Sequence, residues 1–183
     1  MSREPHIPRA TGIEALSELD RVEWSSLSHA YGEGRVGVDL AGDVEGSLAL
    51  IADDVETATT EGLYSNVCHQ GTVYQASAYA LPFVIAVAAG NVSTTTRLHL
   101  VALLADIAVG GSHVAANGSS AGAHGAGVDV LIRATVVRCD PFLTLIVQAD
   151  AGLAPLVSAI RELADDPSEE KTQAILRLID PSE

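Results

Sequence analysis

Residues 94–109 read TTTRLHLVALLADIAV. Leu98, Leu100, Val101, Leu103, Leu104 and Ile107 recur at helical spacing and leave almost no polar side. The stretch therefore predicts a helix over Thr94 to Val109 that lies at the centre of the fold, since a helix apolar nearly all round must be covered on every side. The pattern continues downstream. Leu153, Leu156, Val157, Ile160 and Leu163 keep the same spacing, and Ala174, Ile175, Leu178 and Ile179 repeat it to the C-terminus. Upstream, Val55 to Val67 and Val73 to Ala89 read as two helices parted by the turn His69-Gln70-Gly71, with a break or kink at Pro82. Ile13 to Leu27 opens the fold and Val44 to Ile51 makes a short helix.

Proline marks the boundaries. Pro82, Pro141, Pro155 and Pro167 each stand at or near the start of an apolar helical pattern, where a missing N–H costs nothing. Asp140 and Asp166 precede two of them and are placed to cap a first turn. Val128 to Arg138 alternates like a strand, but a lone strand would have no partner in a helical chain, so it is read as a helix. Gly110 to Gly127 (GGSHVAANGSSAGAHGAG) is a flexible Gly/Ser/Ala-rich loop. Residues 1–183 thus form a single all-α domain. Short turns between helices suggest a short alpha solenoid of stacked antiparallel helical hairpins, with an irregular helical bundle as the alternative.

Composition agrees. Apolar residues make up 48% of the chain and aromatics only 4%. Small aliphatics must therefore fill the interior, which packed helices accommodate better than a sheet sandwich. Acids outnumber bases 24 to 10, a formal charge of −14. From Val36 to Thr96 there is no Lys or Arg, yet Asp39, Asp43, Glu45, Asp53, Asp54, Glu56 and Glu61 occur there. Such a balance disfavours nucleic acid and anionic membranes as partners, and favours either simple solubility or a basic protein partner. Cys68 and Cys139 have neither metal-knuckle nor disulfide-framework spacing and are expected as buried thiols. With no signal peptide and no apolar run long enough to span a bilayer, the expected location is the cytoplasm.

Two polar clusters stand out. One is Trp24 to Gly32 (WSSLSHAYG); the other is Cys68 to Tyr74 (CHQGTVY). Six of the seven aromatics fall between residues 24 and 83. Trp24, His29, Tyr31, Tyr64, His69, Gln70 and Tyr74 are the candidate binding residues, because amphipathic rings close together supply anchors. No HxH, HxxxH or CxxC pair is present, so no metal and no cofactor is expected. Cys68 beside His69 is a poor nucleophile–base pair, as sequential neighbours face different directions. No residue is assigned a catalytic role. The bland reading is that His29, Gln70 and Tyr74 hydrogen-bond across the first hairpins; His99 reads as a core histidine, and His113 and His124 as solvated loop residues.

WSSLSHAYG and HQGTVY, followed by A-x-A-L-P-F and RLHLVALLADIA, resemble bacterial, chiefly actinobacterial, HEAT-like repeat proteins of unassigned function. The similarity covers roughly Trp24 to Gly110, and the chain departs from that pattern at Gly34 to Gly42 (GRVGVDLAG). It implies a helical-repeat fold and no particular activity, since function lives in sites rather than in folds.

The sequence favours a non-catalytic protein–protein interaction module with an acidic, aromatic-bearing face. One concrete form is an immunity-like or antitoxin-like inhibitor covering the basic cleft of a nuclease. The alternative is an enzyme, or a small-ligand or metal binder, using the His29/His69/Tyr74 neighbourhood. A DNA glycosylase role, which some HEAT-like proteins have, is opposed by the charge: Arg97 is the only base in the middle third.

Overall fold

The computed structural model describes residues 4–35, 40–112 and 127–180. These are mostly helical, with two very small sheets. The opening segment forms 3-10 helices, Gly12–Arg21 and Trp24–Ser26, in place of the α-helix expected over Ile13 to Leu27. Serine hydroxyls explain part of the difference. Ser17 Oγ donates to Glu14 O at 2.7 Å and Ser26 Oγ to Glu23 O at 2.9 Å. Such bonds compete with the backbone ladder of an α-helix.

A first hairpin follows, β1 (Ser28–His29) with β2 (Gly32–Glu33). Helix α1 (Val44–Leu50) is capped by Asp43, whose carboxylate accepts from Gly46 N. Residues 55–67 are helical as expected, but in three registers: α2 (Val55–Thr57), a π-helical stretch Ala58–Leu63, and α3 (Tyr64–Val67). The expected turn at His69-Gln70-Gly71 is the tip of a second hairpin, β3 (Cys68–His69) with β4 (Thr72–Val73). Helix α4 (Gln75–Ala89) therefore starts two residues later than Val73.

All 15 residues of α4 are buried, and its neighbours include the first 3-10 helix, α5 (Thr94–Val109), α6 (Val128–Arg138) and α7 (Asp140–Ala149). The centre of the fold is thus α4; α5 shows Leu98 to solvent. Pro82 lies inside α4, not at a start, and the helix continues through it without a break. Dense packing on every side holds the turn whose N–H proline removes. Helices α8 (Ala154–Asp165) and α9 (Glu169–Ile179) complete the C-terminal half, and α5 touches both.

Two caps are displaced from their expected residues. Asp140 is the first residue of α7 and binds Arg161 Nε at 2.6 Å instead of capping. At α9 the cap is Ser168, while Asp166 pairs with Lys171 Nζ at 2.9 Å. Pro141 and Pro155 do occupy first turns. Val128–Arg138 is helix, not strand.

Residues 113–126 of the expected loop, with His113 and His124, lie outside the described residues. Its ends are fixed. Gly111–Ser112 forms β5, parallel to β4, and Ser112 Oγ donates to Asp129 Oδ1 at 2.7 Å while accepting from Asp129 N at 2.9 Å. Cys68 and Cys139 are buried, free thiols. Among the described residues no helix is long and apolar enough to cross a membrane.

Candidate functional site

The two polar clusters become the two hairpins, and the hairpins touch. Ala30 N donates to Asn66 O at 3.0 Å, and Ser28 N to Gln75 Oε1 at 3.5 Å, fastening the first hairpin to α3 and to the start of α4. In the second, Gln70 (φ 52°) and Gly71 (φ 74°) are both left-handed, the geometry of a tight two-residue hairpin turn. Gly71 takes that conformation freely; Gln70 takes it against its preference and is exposed at the tip.

Each hairpin carries a histidine at the end of its first strand, and Tyr31 joins them. Its ring centroid is 6.3 Å from His29 and 6.2 Å from His69, the latter edge-on. Tyr31 is 47% exposed, His29 only 4%. His29 Nδ1 accepts from Tyr31 N at 3.2 Å, so its proton sits on Nε2, which donates to Gly34 O at 2.5 Å. Both ring nitrogens of His29 are thus spent on holding its own loop.

Tyr64 and Tyr74 both lie near Cys68. Tyr64 Oη donates to Asp106 Oδ2 at 2.7 Å, tying α3 to α5. Burial, and then Asp106, push the Tyr64 phenol far above its ordinary range. Burial first, then the nearby Asp106 carboxylate, push the Cys68 thiol up to about 12. Tyr74 is raised by burial and by facing Cys68 and Tyr31. A thiol held protonated in this way is a weak nucleophile at neutral pH.

Trp24 stands apart. Its Nε1 donates to Leu19 O at 2.9 Å and its ring lies 6.0 Å from Phe83, within the core. The seven candidates therefore divide: Tyr31, His69 and Gln70 form the hairpin-tip surface, His29 supports it, Tyr74 stands near Tyr31 and Cys68, Tyr64 is tied to Asp106, and Trp24 packs inward. His99 Nδ1 meets Thr59 Oγ1 at 3.4 Å. Among the described residues no group of three or more His, Cys, Asp or Glu is disposed to hold a metal ion.

Several residues that matter here carry no sequence signal. Buried Asn66 donates through Nδ2 to Leu40 O at 2.7 Å and Gly62 O at 2.9 Å, and accepts from Gly42 N at 2.6 Å, latching residues 40–42 to the helix behind the hairpins. Asp106 answers Tyr64 from 42 positions away. Only the polar side chain inside an apolar helix could have flagged it. Of the acids in the base-free stretch, Glu45, Asp53, Asp54, Glu56 and Glu61 are exposed, whereas Asp43 is buried and paired with Arg35 at 3.1 Å. Glu33, beside Tyr31 in the first hairpin, is exposed as well.

Compared with protein-family models, curated proteins and solved structures, the chain matches none.

Proposed function

We propose that this chain is a non-catalytic protein–protein interaction module that offers the acidic, aromatic-bearing surface of its N-terminal half to a basic partner. The observation that carries this is the pairing of a half-exposed Tyr31, flanked by His69 and Gln70, with exposed acids on a stretch that has no Lys or Arg. An aromatic anchor gives affinity, and an excess of acids gives the long-range steering. An immunity-like inhibitor of a nuclease, whose cleft must be basic to hold a phosphate backbone, is one concrete form. The same excess argues against a glycosylase-type grip on duplex DNA. Kinship with HEAT-like repeat proteins of bacteria remains part of this proposal, in a closed form. Because α5 reaches α8 and α9, we favour an irregular helical bundle over an open solenoid with a concave groove.

A second reading, a ligand or metal binder or an enzyme at His29, His69 and Tyr74, has in its favour the Tyr31 ring that joins the two imidazoles. Against catalysis stand the engaged nitrogens of His29 and the protonated Cys68.

Capture from the host proteome tests the proposal with three baits: the native chain, Tyr31→Ala, and the fourfold variant Glu33→Gln, Asp53→Asn, Glu56→Gln, Glu61→Gln. Asp54 is left intact because it caps α2. The native bait should retain a basic protein at low salt and lose it as ionic strength rises past the point where charges are screened. The Tyr31 variant should weaken binding by about 2 kcal/mol. A partner held equally by all three baits, at any salt, would refute the reading.

A further inference from the structure

A cleft of about 310 Å³ opens between the first 3-10 helices, the first hairpin and the start of α1, with His29 in its lining. Its size falls at the lower end of the range for small-molecule sites. The floor is apolar: Leu19, Trp24, Leu27 and Val44 line it, and all four are buried residues of the core. The mouth is charged with both signs. Arg35, whose side chain is 67% exposed, lines it with two carboxylates, Asp43 and, in the first turn of α1, Glu45.

The rim is held in place. Asp43 Oδ1 accepts from Gly46 N at 2.8 Å, capping α1, while its Oδ2 takes Arg35 Nε at 3.1 Å. A Cβ on Gly46 would lie 2.5 Å from that carboxylate, so a side chain there would displace it from its present position. Next to Arg35, Gly34 has φ +68°, and a Cβ there would lie 3.0 Å from Ser25 O. The Nε of Arg35 is thus engaged by Asp43, which leaves the guanidinium its two Nη groups for a second acceptor; Glu45 stands two residues beyond Asp43 on the same turn.

A ligand that suits this cleft has a compact apolar body with a negative and a positive group at one end. Arg35 is already paired with Asp43 through Nε, so a purely apolar ligand would leave the Arg35 Nη donors and Glu45 to water, a simple anion would meet the Asp43 and Glu45 carboxylates, and a simple cation would leave the Nη donors unused. We infer that the cleft binds the zwitterion of a free apolar α-amino acid: the side chain against Trp24 and Leu27, the carboxylate on the Arg35 guanidinium, the ammonium facing Glu45. The site adjoins the interaction surface described above through His29, but the inference does not rest on that reading.

Trp24 is the only tryptophan of the chain, so its emission reports what enters the cleft. The full-length protein is titrated with L-leucine, L-leucinamide and N-acetyl-L-leucine, with calorimetry in parallel. L-Leucine should give a saturable change in emission and in heat. Leucinamide, lacking the carboxylate, and N-acetyl-leucine, lacking the ammonium, should each bind about tenfold more weakly. In Arg35→Ala the leucine/leucinamide difference should vanish, and in Glu45→Gln the leucine/N-acetyl-leucine difference should vanish. Because these are ratios within one variant, a general loss of stability does not mimic them. No saturable response to L-leucine up to about 10 mM, a concentration that bounds millimolar affinity, overturns the inference. Equal binding of all three compounds to the native protein overturns it too, leaving only an apolar hollow.

Discussion

Arg97 shows how one side chain settles two elements. It is buried, and its Nε and Nη2 donate to Ala88 O at 2.9 Å and Gly90 O at 2.8 Å. A cation thus sits at the negative end of the α4 dipole, answers the Ala88 carbonyl that the helix leaves open, and shares Gly90 O with Val92 N, which donates to it at 3.0 Å. Arg97→Ala should cost about 1–3 kcal/mol in urea unfolding, because Ala88 O is left buried without a donor while Gly90 O keeps only Val92 N. Arg97→Lys should recover only a fraction, since an ammonium cannot reproduce the two-pronged geometry. An unchanged unfolding midpoint for Arg97→Ala would remove this role. At this scale the sequence is only partly readable. Arg97 is visible as an arginine within an apolar helix, but the carbonyls it answers lie across a turn. Asn66 has no pattern at all, because a latch of three hydrogen bonds to backbone depends on chain path rather than on spacing.

Elements were more legible where an apolar face is long. The stripe in Thr94–Val109 gave α5 with its observed bounds, and α8 and α9 follow theirs closely. Periodicity failed where elements are shorter than its own wavelength. Two-residue strands cannot alternate, so both hairpins were read as a helix end and a turn. The Asp-Pro and Asp-Pro-Ser-Glu signals located helix starts to within a residue or two but named the wrong caps, because salt bridges to Arg161 and Lys171 compete for those carboxylates. Close approach between elements left a trace only in glycines. A Cβ on Gly90 would fall 2.1 Å from Gly12 N, so the first 3-10 helix lies directly on the end of α4. Gly90→Ala should therefore destabilise the fold by about 3 kcal/mol or more, an overpacking effect of the larger kind, with the N-terminal segment released first. Thermal unfolding with limited proteolysis checks this; a variant as stable and as resistant as the native protein would contradict the packing.

For the molecule as a whole, charge is the property that sequence states outright and structure distributes. At −14, the folded chain carries acids that repel one another across its surface, and few bases answer them. Added sodium chloride in the range of about 0.05–0.3 M should therefore raise the melting temperature, since screening relieves the compact state more than the expanded one. A melting temperature that falls over that range would mean that ion pairs such as Arg161–Asp140 outweigh the repulsion. The helical class was readable at this scale; the enclosure of α4 was not, because an all-apolar pattern says that a helix is covered without saying by what. That enclosure has a consequence for biosynthesis. Residues 75–89 leave the ribosome before the helices that cover them from the C-terminal side have been translated. For that interval the nascent chain bears an uncovered stretch of the kind that chaperones bind, and the acids translated just ahead of it are the nearest deterrent to its aggregation.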